Sequence, residues 1–313
     1  MCRRLCFLIA LCAGCGSTTE SAGPFLTALP TRQTLEVSAP SSRAPVALGE
    51  RSAALVGETA SLYVLTRQTT GEVNGLVGGA LDTLSKIART PPAAVGPESA
   101  AWGPLTDALS PVAGRLIIIR VGPGAHQFRL DLRQKSGSDA DFETFLQGAS
   151  TGVGSSGPSQ GSFSVDLGLA HRLDPVANPA EGQIVAGWSV AADRREVHVH
   201  LADVHAASDP STTADVGAVI QADGSGSLVL DADANLVRST DALETGQIRS
   251  RWTSSGAGRA DVEAHGGDAA DGTLLTECWD SSFGRVYALG PGMDGGVATE
   301  GAASACVFTE PLR

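Results

Sequence analysis

Three histidines near the middle of the chain are the first residues whose spacing could do chemistry. His198 and His200 stand two positions apart in a stretch of alternating polar and apolar residues, and His205 follows. Imidazoles two positions apart on a strand share one face of a sheet, an arrangement that suits a transition metal. His205 lies beyond the end of the alternation, so no third ligand is specified. We interpret the pair as part of a solvated strand face and predict no metal site.

A second metal-like pattern is the acidic stretch that follows residue 230. Asp231, Asp233 and Asn235 have the spacing of the first three ligands of a calcium loop. The pattern then fails, because Leu236 stands where the turn requires Gly and Ala242 stands where a bidentate Glu belongs. The sequence therefore predicts a polar strand end.

Catalytic signatures are missing from the chain. It contains no G-x-S-x-G, S-x-x-K or H-E-x-x-H, and these are the local patterns of common nucleophile and zinc sites. The Gly-rich run 152–161 has no Lys and no following helical periodicity, so it is not a phosphate-binding loop. We predict a protein that is not an enzyme, with no catalytic residue and no cofactor.

The first cysteines belong to a different chemistry, that of export and lipidation. Arg3 and Arg4 precede the apolar run 5–11, and small residues stand directly before Cys15. This order is typical of an export signal, and the run is too short to cross a bilayer as a helix. The segment resembles a bacterial lipobox, although Cys12 stands where Leu is usual. That resemblance implies a signal peptide at 1–14 and a lipidated Cys15; a plain secretory cleavage is the alternative.

Two cysteines remain in the rest of the chain, Cys278 and Cys306. In an exported protein such a pair most simply forms one disulfide. The loop that it would close implies a stabilisation of roughly 3 to 4 kcal/mol. Zinc is a poor alternative, because neither cysteine belongs to a C-x-x-C motif.

Charge limits the partners of the protein. The chain has 22 basic and 34 acidic residues, for a formal net charge of −12. Nucleic-acid binding requires a basic stripe, so we exclude that class. The partners that remain are a membrane, reached through the lipid anchor, a protein of the envelope, or a hydrophobic ligand.

The chain divides into a tether and one domain. Residues 15–52 are rich in Ser, Thr, Pro, Ala and Gly, a composition that predicts a lipidated flexible tether. Residues 54–88 carry apolar residues at steps of three and four, which predicts a long helix, or two helices broken near Gly71. Residues 53–313 form the predicted single domain.

After Trp102 the hydrophobic period changes to two, and about a dozen short strands follow, which indicates an antiparallel sheet. We therefore expect an α+β fold, with a long N-terminal helix, possibly broken, packed in a curved, mostly antiparallel β-sheet or open barrel. The apolar positions on the sheet are core residues in this interpretation. In a lipid carrier of half-barrel shape the same positions would line a ligand site: Phe128, Leu130, Phe163, Val165, Val197 and Val199.

Four segments carry a resemblance to a known family: "AAWGPLTDALSPVAGRLIIIRVG", "IRSRWTSSGAGRADVEAHGGD", "ECWDSSFGRVY" and "ACVFTEP". They are similar to uncharacterised lipoproteins of GC-rich Gram-negative bacteria, and the resemblance implies no activity and no site. The expected function is that of an envelope-anchored lipoprotein with a non-catalytic structural or protein-interaction domain. The alternative is a periplasmic carrier that binds lipid or another hydrophobic ligand. Gly16 and Ser17 follow Cys15, and neither is the Asp that retains lipoproteins at the inner membrane. Their identity favours a location at the outer membrane.

Overall fold

The computed structural model describes residues 22–39, 56–152, 157–206, 209–234, 240, 242–269, 272–291 and 297–312. Cys15, the predicted signal peptide and Asn235 lie outside these residues. The described α-helices are α1 (Gly23–Leu26), α2 (Arg32–Leu35), α3 (Ser61–Ala88) and α4 (Leu167–Leu173). Two short 3-10 helices lie at Asp139–Asp141 and Ala303–Ala305.

One antiparallel sheet makes up most of the fold. Its 15 strands follow one another in chain order from β1 to β15, and each is hydrogen-bonded to the next. The strands are β1 (Ala94–Val95), β2 (Ser99–Thr106), β3 (Val112–Gly122), β4 (Ala125–Gln134), β5 (Glu143–Gly152), β6 (Ser159–Asp166), β7 (Ala180–Val190), β8 (Arg194–Ala206), β9 (Thr212–Gln221), β10 (Gly226–Ala234), β11 (Glu244–Trp252), β12 (Gly258–His265), β13 (Thr273–Trp279), β14 (Arg285–Pro291) and β15 (Val297–Gly301).

Alternation along each strand decides which face is buried. In β8 the side chains of Val197, Val199 and Leu201 are buried, whereas His198 between them is exposed. Successive side chains on a strand point to opposite faces, so this pattern gives the sheet one apolar face and one solvated face.

Helix α3 has 28 residues and begins after Ala60, whose side chain provides no capping hydrogen bond. Its first turn lies against β13, where the Tyr63 ring contacts that of Trp279 at a centroid distance of 5.8 Å. Further along, Val73, Val77 and Leu84 belong to the same buried apolar cluster as the sheet. Gly71 does not interrupt the helix.

The predicted fold class is wrong. We expected an α+β fold, built from a long N-terminal helix in a curved, mostly antiparallel sheet or open barrel. The described chain is instead mostly one continuous 15-stranded sheet, which does not close, since β1 and β15 are its two ends. The sequence led us to expect the helix as the main cover of a sheet of about a dozen strands. In the structure the N-terminal residues 22–38 share the apolar face with it.

Candidate functional site: the apolar face and its strap

The candidate site is the apolar face of the sheet, together with the chain segment that covers it. Side chains on β4, β6 and β8 point to this face, and none of the six predicted ligand-lining residues is more than 2% exposed. The structure thus brings all six together in one buried cluster: Phe128, Leu130, Phe163, Val165, Val197 and Val199. The space in front of them is occupied by the protein's own side chains.

Part of that cover comes from residues 22–38, which we call the strap. They contain α1 and α2, and the side chains of Phe25, Leu35 and Val37 are buried in the sheet's apolar cluster. The predicted flexible tether at 15–52 is therefore incorrect for this part of the chain. Averaged composition hid the few apolar residues that dock here.

Polar contacts fasten the strap to α3 and to the sheet. The Asn74 side chain accepts a hydrogen bond from Val37 N (2.8 Å) and donates one to Val37 O (2.9 Å). The buried Ser150 hydroxyl donates to Ala28 O at 2.7 Å. These contacts satisfy strap backbone groups that packing removes from water.

Two arginines complete the attachment. Arg195 on β8 donates from its guanidinium to Gln33 O (2.9 Å) and to Glu36 O (2.6 Å), and burial lowers the pKa of this group from its ordinary value. Arg32 in α2 holds Asp82 on α3 through two hydrogen bonds, of 2.8 and 2.5 Å. The hydrogen bond from Arg32 lowers the pKa of Asp82.

Two small cavities border the strap. One, of about 130 Å³, lies between the strap and α3 and is lined by Arg32, Leu35, Glu36, Asn74, Val77, Gly78 and Leu81. The other, of about 210 Å³, lies where α2 meets the β7–β8 and β9–β10 turns. Ligand pockets usually measure roughly 300 to 1,000 Å³, so neither of these has room for a lipid chain in this state.

His126 on β4 lies under the strap and is 8% exposed. Its ring contacts Phe25 edge-on at 6.4 Å between centroids, and the Arg120 guanidinium stands 5.2 Å from the centre of the Phe25 ring. Within the described part of the chain, His126 Nε2 is buried without a hydrogen-bond partner. Burial, with a further contribution from the charge of Arg120, lowers the pKa of His126.

Cys278 and Cys306 lie at bonding distance, with 2.12 Å between their sulfur atoms. The chain after Cys306 crosses the solvated face of the sheet. There Arg259 donates to Thr309 O at 2.5 Å, and the Arg251 guanidinium stacks over Phe308 at 4.3 Å. The pair thus fastens the C-terminal segment to β13.

Four of the His and Asp residues whose spacing resembles metal-binding patterns have separate partners in the structure. His200 Nδ1 contacts Asp215 Oδ1 at 2.8 Å, while His205 contacts the backbone oxygen of Asp203. Asp231 is hydrogen-bonded to Gln247, and Asp233 accepts from Thr245 at 2.7 Å. No group of three or more His, Cys, Asp or Glu residues within the described ranges could hold a metal ion.

A Trp that stacks on a cross-strand Gly occurs twice in the sheet, and the sequence analysis did not predict it. Trp252 on β11 lies over Gly226 on β10 and donates from its indole N–H to Gly224 O at 3.2 Å. Trp279 on β13 repeats this over Gly258, with its N–H donating to Gly256 O at 2.9 Å. The signal was present as two G-x-G turns, each followed by two strands of which the second ends in Trp.

The comparisons with known proteins add no relative. No helix in the described residues has both the length and the apolar character that crossing a membrane requires. The chain matches no family model, no curated protein and no solved structure.

Proposed function

We propose that the protein is an envelope-anchored lipoprotein, held by acylated Cys15, whose folded domain is non-catalytic and acts by presenting its outer surface to a protein partner. The anchor is inferred from the sequence that precedes Cys15, and the observation that favours an interaction domain over a carrier is the filled apolar face. Phe128, Leu130 and the other four residues belong to one buried cluster that also contains side chains of α3 and the strap. A hydrophobic ligand would first have to displace the protein's own chain.

The surface left for a partner is the solvated face and the sheet edge. Strand β15 pairs with β14 on one side, and Val297 at its start is 78% exposed. An exposed edge strand offers main-chain hydrogen bonds to an added strand. On the solvated face of β3, Ile119 and Val121 are 43% and 55% exposed. Both features fit contact with a protein better than chemistry on a small molecule.

The first experiment tests the anchor. The full chain is expressed in a Gram-negative host, and its mature mass and membrane fractionation are compared with those of Cys15→Ser. We expect an acylated, cleaved N-terminus on the wild-type protein, and neither acyl groups nor cleavage before residue 15 on the variant. A wild-type mass that differs from that of the variant only by the exchange of sulfur for oxygen, with no acyl groups, would overturn the lipoprotein assignment.

The second experiment separates an interaction domain from a carrier. The mature Cys15→Ser chain, exported behind a plain secretory signal peptide and with the strap intact, is purified from the periplasm and weighed by native mass spectrometry, followed by lipid extraction. We expect an apo mass, lighter by two hydrogens for the disulfide. Lipid that copurifies at fixed stoichiometry would instead establish the carrier function and overturn the proposed one.

A further inference from the structure

The packed strap brings the folded domain close to the proposed anchor. Only residues 16–21 separate Cys15 from Ala22, the first described residue of the strap segment. At roughly 3.5 Å per residue, this stretch spans at most about 25 Å. The predicted tether through residue 52 would have left the domain free to stand well clear of the lipid and to face it in any orientation.

The strap meets the sheet at one end of the strands. Phe25 packs on His126, which lies just after the β3–β4 turn at 123–124. Gln33 and Glu36 are held by Arg195, just after the β7–β8 turn at 191–193. We name the turns at 123–124, 191–193 and 222–225 the anchor-side rim. In an antiparallel sheet of sequential strands, alternate turns share an end, so these three lie on the same side.

The opposite end of the sheet is more acidic than the anchor-side rim. At the opposite end, the connections carry the exposed carboxylates of Asp107, Asp139, Asp141 and Asp209, which Lys135 and Arg172 offset only in part. Around the anchor-side rim, by contrast, Asp193, Glu196 and Asp223 are balanced by Arg120, Arg194 and Arg195, of which Arg194 is paired with Glu196. A bilayer that contains anionic lipid repels the acidic end more strongly than the balanced rim.

We propose that the anchor-side rim is a membrane-facing surface, apposed to phospholipid headgroups, with Ala22 held within about 25 Å of the acylated Cys15 and the acidic end directed away from the bilayer. This orientation rests on the proposed lipidation. The orientation follows because residues 16–21 are a short connection and the strap is fixed to the sheet beside the rim. Repulsion between the acidic end and anionic lipid reinforces it. The solvated face and strand β15 then remain open to a partner in the aqueous compartment.

The test uses the full acylated chain in vesicles of phosphatidylethanolamine and phosphatidylglycerol that carry a rhodamine-labelled lipid. A donor fluorophore is placed at Ala192→Cys on the anchor-side rim, or at Ala140→Cys at the opposite end; both positions are exposed. The 10 residues of β4 separate the two ends by roughly 33 Å. We expect energy transfer from position 192 to exceed that from position 140 at least two-fold.

A matched control lengthens the connection. Insertion of a Gly-Ser linker of about 30 residues after Gly16 lets the domain reorient, and should bring the two transfer efficiencies together. Equal or reversed transfer in the acylated chain without the linker would overturn the orientation alone. A chain that lacks acyl mass and does not bind vesicles would overturn the lipoprotein assignment as well.

Discussion

The carboxylate of Glu277 on β13 accepts the backbone N–H of Leu62 at 2.6 Å and so caps helix α3 from 215 positions away in the chain. The first N–H groups of a helix have no partner within it, and Ala60 offers no side-chain oxygen. The other carboxylate oxygen faces Arg285 at 3.2 Å, and both side chains of this pair are less than 10% exposed. One acidic residue therefore joins the helix N-terminus to a buried ion pair.

Removal of that carboxylate should destabilise the domain strongly. Glu277→Ala leaves Arg285 buried beside a lost partner and leaves the Leu62 N–H uncapped, which should lower the free energy of unfolding by about 3 to 5 kcal/mol. Glu277→Gln keeps an oxygen that can accept from Leu62 and should cost less. Urea unfolding followed by tryptophan fluorescence measures both changes.

Glu300 provides the control, because it binds the same arginine from a more exposed position. Its carboxylate lies 2.8 Å from Arg285 and its side chain is 35% exposed. Glu300→Gln should cost at most about 1 kcal/mol, as partly solvated ion pairs do. Equal losses for Glu277→Ala and Glu300→Gln would show that the helix cap contributes nothing.

Two leucines of the strap should respond very differently to truncation. Leu35 is 2% exposed and Leu26 is 37% exposed. Leu35→Ala opens a cavity in the apolar cluster and should lower the free energy of unfolding by about 2 to 5 kcal/mol. Leu26→Ala removes a side chain that is already partly in water and should cost less than about 1 kcal/mol. Negligible effects of both substitutions, in paired urea titrations, would mean that the strap is not docked in solution.

Alternation located much of the sheet, because side chains on a half-buried strand must alternate. The pattern around Val197 and Val199 falls within β8, and that around Phe128 and Leu130 falls within β4. Leu167 continues the alternation of Phe163 and Val165, yet Asp166 accepts a hydrogen bond from Leu169 N and caps α4, which begins at Leu167. A local cap at this point ends a strand whose hydrophobic period continues for one more residue.

The strap could not be predicted in the same way, because it has no sustained period. Phe25, Leu35 and Val37 are dispersed among small and polar residues, and their burial depends on partners that are distant in the sequence, such as Asn74 and Arg195. The stacking of Trp279 on Gly258 is likewise a cross-strand relationship. Such contacts become visible only when the register of the sheet is known.

Adjacent glycines in α3 give a paired test of the contact between the helix and the strap. A Cβ added at Gly79 meets no atom within 4 Å, whereas one at Gly78 meets Arg32 Nη1 at 2.7 Å. Gly79→Ala should raise the free energy of unfolding by about 0.5 to 1 kcal/mol, since Ala loses less backbone entropy in a helix. Gly78→Ala should gain less, because its methyl group displaces the guanidinium that holds Asp82. Thermal unfolding of the two variants decides the matter, and equal gains would contradict the Arg32 contact.

His126 should make the stability of the domain depend on pH. Burial lowers the pKa of this histidine in the folded state, while in the unfolded chain it titrates near the ordinary value of about 6.5. Between the lower folded pKa and about pH 6.5 the unfolded chain binds more protons, so the free energy of unfolding falls as the pH falls through this window.

Two features oppose protonation of His126: the loss of water around the buried ring and the positive charge of Arg120. His126→Gln should therefore lose less thermal stability than the wild-type protein between about pH 7.5 and about pH 5.5. His198→Gln changes a histidine on the exposed face of β8 and should keep the wild-type dependence. If His126→Gln and the wild-type protein lose stability in parallel, the buried imidazole does not couple protonation to the docking of the strap, and acidic conditions would leave Phe25 in place.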